Sequence, residues 1–180
     1  MKNHKFTLGI GKANMYSLIL MIPLIVIYLM VFISVWGNEK LNVLEEHNVG
    51  VLIITAVIGI AFHEIIHGLT WIILTQNRIS SLKFGFSWKF MTPFCHYRKS
   101  IKVRFYRVGI VMPLIILGIL PSVIALVTGN GFLYLWGIFF TCIATGDIIV
   151  LFMLRKLSAE EYVFDHSKKM GFKIEKEEET

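Results

Sequence analysis

The sequence predicts an all-α polytopic membrane protein: four transmembrane helices, with a β-hairpin on the cytoplasmic side between the second and the third. Three observations predict it. The 180 residues are 56% hydrophobic with a mean hydropathy of +0.68, too apolar for a water-soluble domain. The apolar residues gather in four stretches nearly free of charge, each long enough for a ~30 Å hydrocarbon core. Lysines and arginines sit beside the ends of those stretches rather than in one block, as membrane topology requires. The net charge of +6 is thus accounted for, and nucleic-acid binding is excluded as a function class.

The elements follow in chain order within what we read as a single membrane-embedded domain, residues 1–180. Residues 1–14 form a polar start with Lys2, Lys5 and Lys12. The first span, 16–36, is too long for the apolar region of a signal peptide and no small-residue cleavage site follows it, so it is read as a retained anchor. A short loop carries Glu39, Glu45 and Glu46 against Lys40, and the second span occupies 49–75. Residues 79–107 form a loop with many basic and no acidic residues. The third span is 108–128, with Pro113 and Pro121 as expected kinks; Gly129-Asn130-Gly131 is a tight turn, and the fourth span is 132–154. A soluble tail, 155–180, has capping-box spacing for a short helix from Ser158 to Glu161 and ends in an acidic run from Glu175 to Glu179. The basic segments all fall on one side, so the positive-inside rule places both termini and the long loop in the cytoplasm. Cys95 and Cys142 lie in different kinds of segment and are expected to be free thiols.

The second span holds the run His63-Glu64-Ile65-Ile66-His67. Residues four apart on an α-helix share a face, offset by about 40°. His63 and His67 can therefore offer two imidazole nitrogens to one divalent cation, with Glu64 beside them to accept and return a proton. Ionisable groups within an apolar span are costly unless partnered, which makes these three functional candidates. The plainer alternative is a polar seam that joins helices by hydrogen bonds.

A zinc centre, one Zn2+ per chain, needs a third protein ligand, and the sequence narrows the choice. Within the four spans the acidic residues are Glu64 and Asp147, and the histidines are His63 and His67. With Glu64 assigned to proton transfer, Asp147 remains. Depth agrees: His67 is about nine residues and Asp147 about eight from the same end of two spans running in one direction, a few Å apart in height. Gly68 and Gly146 remove side chains where neighbours must come close. His96 and His166 are rival ligands in polar segments at the wrong depth, and the alternative for Asp147 is a protonated carboxyl bonded across helices. Thr141, Cys142 and Thr145 are read as packing residues.

In the long loop, Lys83 to Phe90 alternates aromatic with small or charged residues, and Ile101 to Phe105 alternates as well. Period two argues for two strands joined through 93–100, an amphipathic hairpin close to the histidine helix. Such a hairpin could hold an extended peptide by strand addition, or rest on lipid headgroups with Trp88 and the phenylalanines as anchors.

These residues resemble the site-2 protease group of intramembrane zinc metallopeptidases and, more narrowly, a zincin-peptidase family of small bacterial membrane proteins. The likeness covers about 49–154: the H-E-x-x-H run, a strand-rich loop, a span with a proline after a glycine (Gly109 to Pro113) and a later span bearing Asp147. The resemblance implies zinc ligation by His63, His67 and Asp147, a general-base role for Glu64, and a catalytic centre facing the cytoplasm of a bacterial cell membrane. Two departures bear on substrate handling. Asp147 sits in Ala144-Thr145-Gly146-Asp147-Ile148 rather than an Asn-Pro-x-x-Asp-Gly setting, and no asparagine follows Pro113.

The expected function is hydrolysis of peptide bonds in membrane-spanning or hydrophobic peptide substrates near the cytoplasmic face. Its expected partners are such a substrate and the lipid bilayer, with oligomeric state left open. The alternatives are a non-catalytic metal-binding adaptor or degenerate peptidase, which would have no need of Glu64, and a metal-ion transporter, disfavoured by four spans without an internal repeat.

Overall fold

The computed structural model describes residues 5–43, 48–88, 92–165 and 170–175. Strand β1 (Lys5–Leu8) leads into α1 (Ile10–Trp36), and α2 (Val49–Thr75) follows a polar loop. Strands β2 (Leu82–Ser87), β3 (Thr92–Tyr97) and β4 (Ile101–Lys102) precede α3 (Val103–Pro113). A π-helical stretch, Leu114–Ile119, joins α3 to α4 (Leu120–Thr128). Then come α5 (Gly131–Ile143), α6 (Thr145–Leu154), β5 (Tyr162–Asp165) and β6 (Met170–Glu175).

Three helices are long and apolar enough to cross a membrane: Gly11–Trp36, Val49–Thr75 and Val103–Thr128. The pair α5 and α6, bent by 45° at its junction, makes a fourth if counted as one span. Their outward side chains are apolar; Ile22, Met30 and Ile73 are each about two-thirds exposed, which suits hydrocarbon and not water. The caps are local and chemical. Asn48 accepts from the Gly50 amide at 2.7 Å to start α2, and Asn130 accepts from the Leu133 amide at 2.8 Å to start α5. Gly129, at φ +69°, ends α4 in the left-handed region, so the tight turn expected at 129–131 is present. Pro113 has no amide hydrogen to donate, and the hydrogen-bond register shifts to the wider π pattern directly after it.

The sheets depart from expectation. The hairpin exists, but its strands are 82–87 and 92–97, in the register Phe84 opposite Cys95. The second strand expected at 101–105 is not part of it. Ile101 and Lys102 pair with Val163 and Tyr162, and Val103 already begins α3. Five alternating residues were too few to separate a strand from the first turn of an amphipathic helix. The termini are also more ordered than a polar start and a soluble tail. β1 pairs with β6, β6 with β5 and β5 with β4, forming an antiparallel four-stranded sheet in the order β1-β6-β5-β4. The fold is thus mostly helical with two small sheets rather than all-α with one hairpin. Ser158 and Glu161 do make the capping contact, the Ser158 amide donating to Glu161 Oε1 at 2.6 Å, but it closes a turn into β5 rather than a helix. Span limits shift too. Helix begins at Ile10 and at Val103, earlier than 16 and 108, and the span expected at 132–154 is broken at Ala144. Glu45, Glu46, Lys89, Phe90, His166 and the acidic residues from 176 on lie outside the described residues.

One buried core sits where α2, α3 and α6 meet the sheets, with Trp71, Tyr97, Ile101, Tyr106, Val163 and Phe172 at its centre. Another joins α1, α4 and α5 around Phe32, Tyr134 and Ile138. Arg107 closes the end of α6, its Nη2 donating to the Leu154 and Leu157 carbonyls at 2.6 and 2.9 Å. The hairpin is laid against α2. A Cβ on Gly68 would stand 2.7 Å from Leu82 Cδ1 and 3.0 Å from Cys95 Sγ. The close approach expected at Gly68 therefore serves strands rather than another helix.

Candidate metal centre

His63 and His67 lie on successive turns of the inward face of α2 and are buried, 3% and 5% exposed. Asp147 comes from the first turn of α6, three residues past the Ala144 break. The structure brings these three together. His63 Nε2 is 3.1 Å from Asp147 Oδ2 and 3.1 Å from His67 Nε2, and the third side, His67 Nε2 to Asp147 Oδ2, is 3.5 Å. Among the described residues they form a group that could hold a metal ion. Ligands bound to zinc at about 2.0–2.1 Å in a tetrahedron stand about 3.3–3.4 Å apart, so the observed triangle is already close to one face of that tetrahedron.

The tautomer of His67 follows from its surroundings. Its Nδ1–H donates to the Gly109 carbonyl at 2.8 Å, which leaves Nε2 as a lone pair aimed at the triangle. The His67 ring also stacks on Trp71, centroids 5.6 Å apart and planes 15° apart. His63 Nδ1 is buried with no hydrogen-bond partner among the described residues. The carboxylate is the open side of the cluster: the Asp147 side chain is 24% exposed against 4% and 7% for the imidazoles.

Glu64 is half-buried on the same helix, next to His63, with the Cys95 amide of β3 beside its carboxylate. Cys95 is not in the group that could hold a metal ion. Burial, with the negative charges of Glu64 and Asp165 adding to it, pushes its thiol up to about 12, so it stays protonated at neutral pH. His96 is engaged elsewhere, its Nδ1 2.6 Å from Asp165 Oδ2. His166 falls outside the described residues. Cys95 and Cys142 are both free. Thr141 and Thr145 are buried packing residues, Thr145 bonding back to the Cys142 carbonyl at 2.7 Å.

Gly109 is a contributor that sequence reasoning did not assign. Its carbonyl orients His67, and a Cβ there would fall 1.9 Å from Trp71 Nε1, so only glycine lets α3 come this close. Gly109→Ala is expected to cost roughly 1–3 kcal/mol of stability by overpacking. It should also weaken metal binding, because Trp71 cannot retreat without moving off His67. Thermal unfolding in detergent and a zinc titration check the two effects separately.

A largely helical chain with membrane-spanning segments and a buried cluster of two histidines and an aspartate has the make-up of a membrane metallopeptidase. The chain belongs to the family described as putative zincin peptidase, which matches residues 56–162 and so takes in the H-E-x-x-H run, the hairpin and Asp147. No curated protein and no solved structure matches it.

Proposed function

We propose that this chain is an intramembrane zinc metalloprotease of the site-2 protease kind, cutting membrane-spanning or hydrophobic peptides near the cytoplasmic face of a bacterial membrane. The observation that carries the reading is the triangle of His63 Nε2, His67 Nε2 and Asp147 Oδ2, with sides of 3.1, 3.1 and 3.5 Å, beside a glutamate on the same helix. The family match adds to it.

The residues divide the work by their chemistry. His63, His67 and Asp147 would hold the zinc ion, and the chemistry it would supply is Lewis acidity towards the scissile carbonyl and the attacking water. Glu64 takes the proton from the attacking water and returns it to the leaving amine, a transfer that needs a carboxylate within hydrogen-bond reach of the bond being cut. Gly109 and Trp71 hold the His67 ring in place. A substrate helix hides its peptide bonds behind its own hydrogen bonds and must be extended first. β2 pairs only with β3 among the described residues, leaving its other edge as one on which an extended peptide can align.

Four membrane crossings fit this reading, with the bent α5–α6 pair as the last. The shared sheet of β1, β4, β5 and β6 supports that count, because strands on opposite sides of a bilayer could not pair. Lys/Arg bias supports a cytoplasmic position for that sheet and for both termini.

The test is reconstitution. Purified protein in liposomes, offered a set of labelled single-span peptides, should contain about one zinc per chain and cleave at least one peptide. Cleavage should stop with a zinc chelator and resume when zinc is restored. Chelator-resistant cleavage would refute the reading, and stoichiometric zinc with no cleavage across the set would favour the metal-binding adaptor.

A further inference from the structure

Outside the triad, the described residues hold a second buried polar cluster, centred on Asp165 at the end of β5. Its carboxylate has two partners on two different elements. Oδ2 lies 2.6 Å from His96 Nδ1 on β3, and Oδ1 accepts the Tyr106 hydroxyl of α3 at 3.1 Å. The Asp165 side chain is 11% exposed and Tyr106 is 3% exposed, so neither bond is a surface accident. A buried tyrosine hydroxyl deprived of its acceptor is costly, which fixes the Tyr106 ring wherever Asp165 stands.

The Tyr106 ring continues inward as a column. It stacks on Trp71 with centroids 5.5 Å apart and planes 17° apart, and Trp71 stacks on His67 at 5.6 Å and 15°. Trp71 Nε1–H also points to the Tyr106 carbonyl, at 3.4 Å. Three nearly parallel rings therefore run from Asp165 to a candidate metal ligand. His67 cannot tip towards Trp71 unless Trp71 tips, Trp71 presses next on Tyr106, and Tyr106 is held by its hydroxyl. On its other side Asp165 holds His96, next in sequence to Cys95, whose amide lies beside Glu64.

We propose that Asp165 is a positioning residue for the metal centre, acting through the Tyr106–Trp71 ring column on His67 and through His96 on the strand beside Glu64. The role rests on the metal reading given above, whereas the ring column itself does not. A carboxylate is suited to the position because it has two acceptor oxygens, one for the hairpin and one for the membrane helix. The strand after the last membrane helix thus sets the ring angle of a residue within the second span.

Tyr106→Phe is the cleanest variant, since it keeps the stacked ring and removes only the bond to Asp165; Asp165→Ala removes both bonds. In the full chain, both should weaken zinc binding about 3–10-fold in a chelator competition, less than the 10–100-fold typical of a group bonded directly to a ligand. Both should shift the visible absorption of the cobalt-substituted protein and, without metal, the imidazole 15N resonances of His67. If the two variants lower the melting temperature yet leave zinc affinity, cobalt spectrum and His67 resonances at wild-type values, Asp165 is only structural glue and the proposal is overturned. A wild type that binds no metal would refute the metal reading before any variant is compared. The His67 resonances would then decide alone, a shift in Tyr106→Phe supporting the column and no shift overturning it.

Discussion

Glu64→Gln will abolish peptide cleavage while leaving the zinc content of the protein unchanged. Glutamine keeps the length and shape of the side chain, so the packing of α2 and the neighbouring Cys95 amide are little disturbed. It cannot accept a proton at neutral pH. A positioned general base contributes about 10²–10⁴-fold to rate, so the expected loss is at least about 100-fold. Glu64 is outside the His63–His67–Asp147 triangle, so metal analysis of the variant should match wild type. The pair of measurements is decisive because it separates chemistry from ligation. Undiminished cleavage by this variant would remove the proposed mechanism, and zinc loss would mean that Glu64 is a ligand.

Asp147→Ala has the next largest effect, and on the opposite quantity. The carboxylate is one corner of a three-atom site whose sides are 3.1, 3.1 and 3.5 Å, and its removal leaves only the two imidazoles. Loss of an outer partner of a ligand costs about 10–100-fold in metal affinity, and loss of a ligand itself should exceed that. Alanine is a strong helix former in the first turn of α6, so the span should survive the change. Purified Asp147→Ala should carry far less than one zinc per chain by elemental analysis, and cleavage should fall with it. Stoichiometric zinc in this variant would exclude Asp147 from the site.

The candidate site was legible for two different physical reasons. His63, Glu64 and His67 announce themselves because helical spacing is local and polar groups are conspicuous in an apolar span. Asp147 could be reached without any motif because hydrocarbon tolerates few carboxylates, leaving little to choose from. What could not be read was carried by the main chain or by distant pairing. The Gly109 carbonyl that orients His67 belongs to a group every residue possesses, and only the tight fit against Trp71 marks the position. Trp71, four residues after His67 on one helix face, was readable in principle. The hairpin partner was misplaced because Ile101 to Phe105 alternates for one strand's worth of residues while its backbone divides between β4 and α3. The four-stranded sheet joins segments of two to six residues from both ends and the middle of the described chain, too short for periodicity to declare them. Asp165 drew no assignment, because its partners His96 and Tyr106 are 69 and 59 residues away in the chain.

The β1–β6 ladder has a consequence for assembly. Lys5 stands opposite Lys173, so this pairing closes a loop that contains every membrane helix. Contacts of such long sequence separation form late, because the intervening chain must be ordered before they can be rewarded. β5 and β6 follow the last helix, so Asp165 can reach Tyr106 only after that helix has been made. Completion of the ring column from Asp165 through Tyr106 and Trp71 to His67 is therefore expected to lag behind insertion of the histidine helix itself.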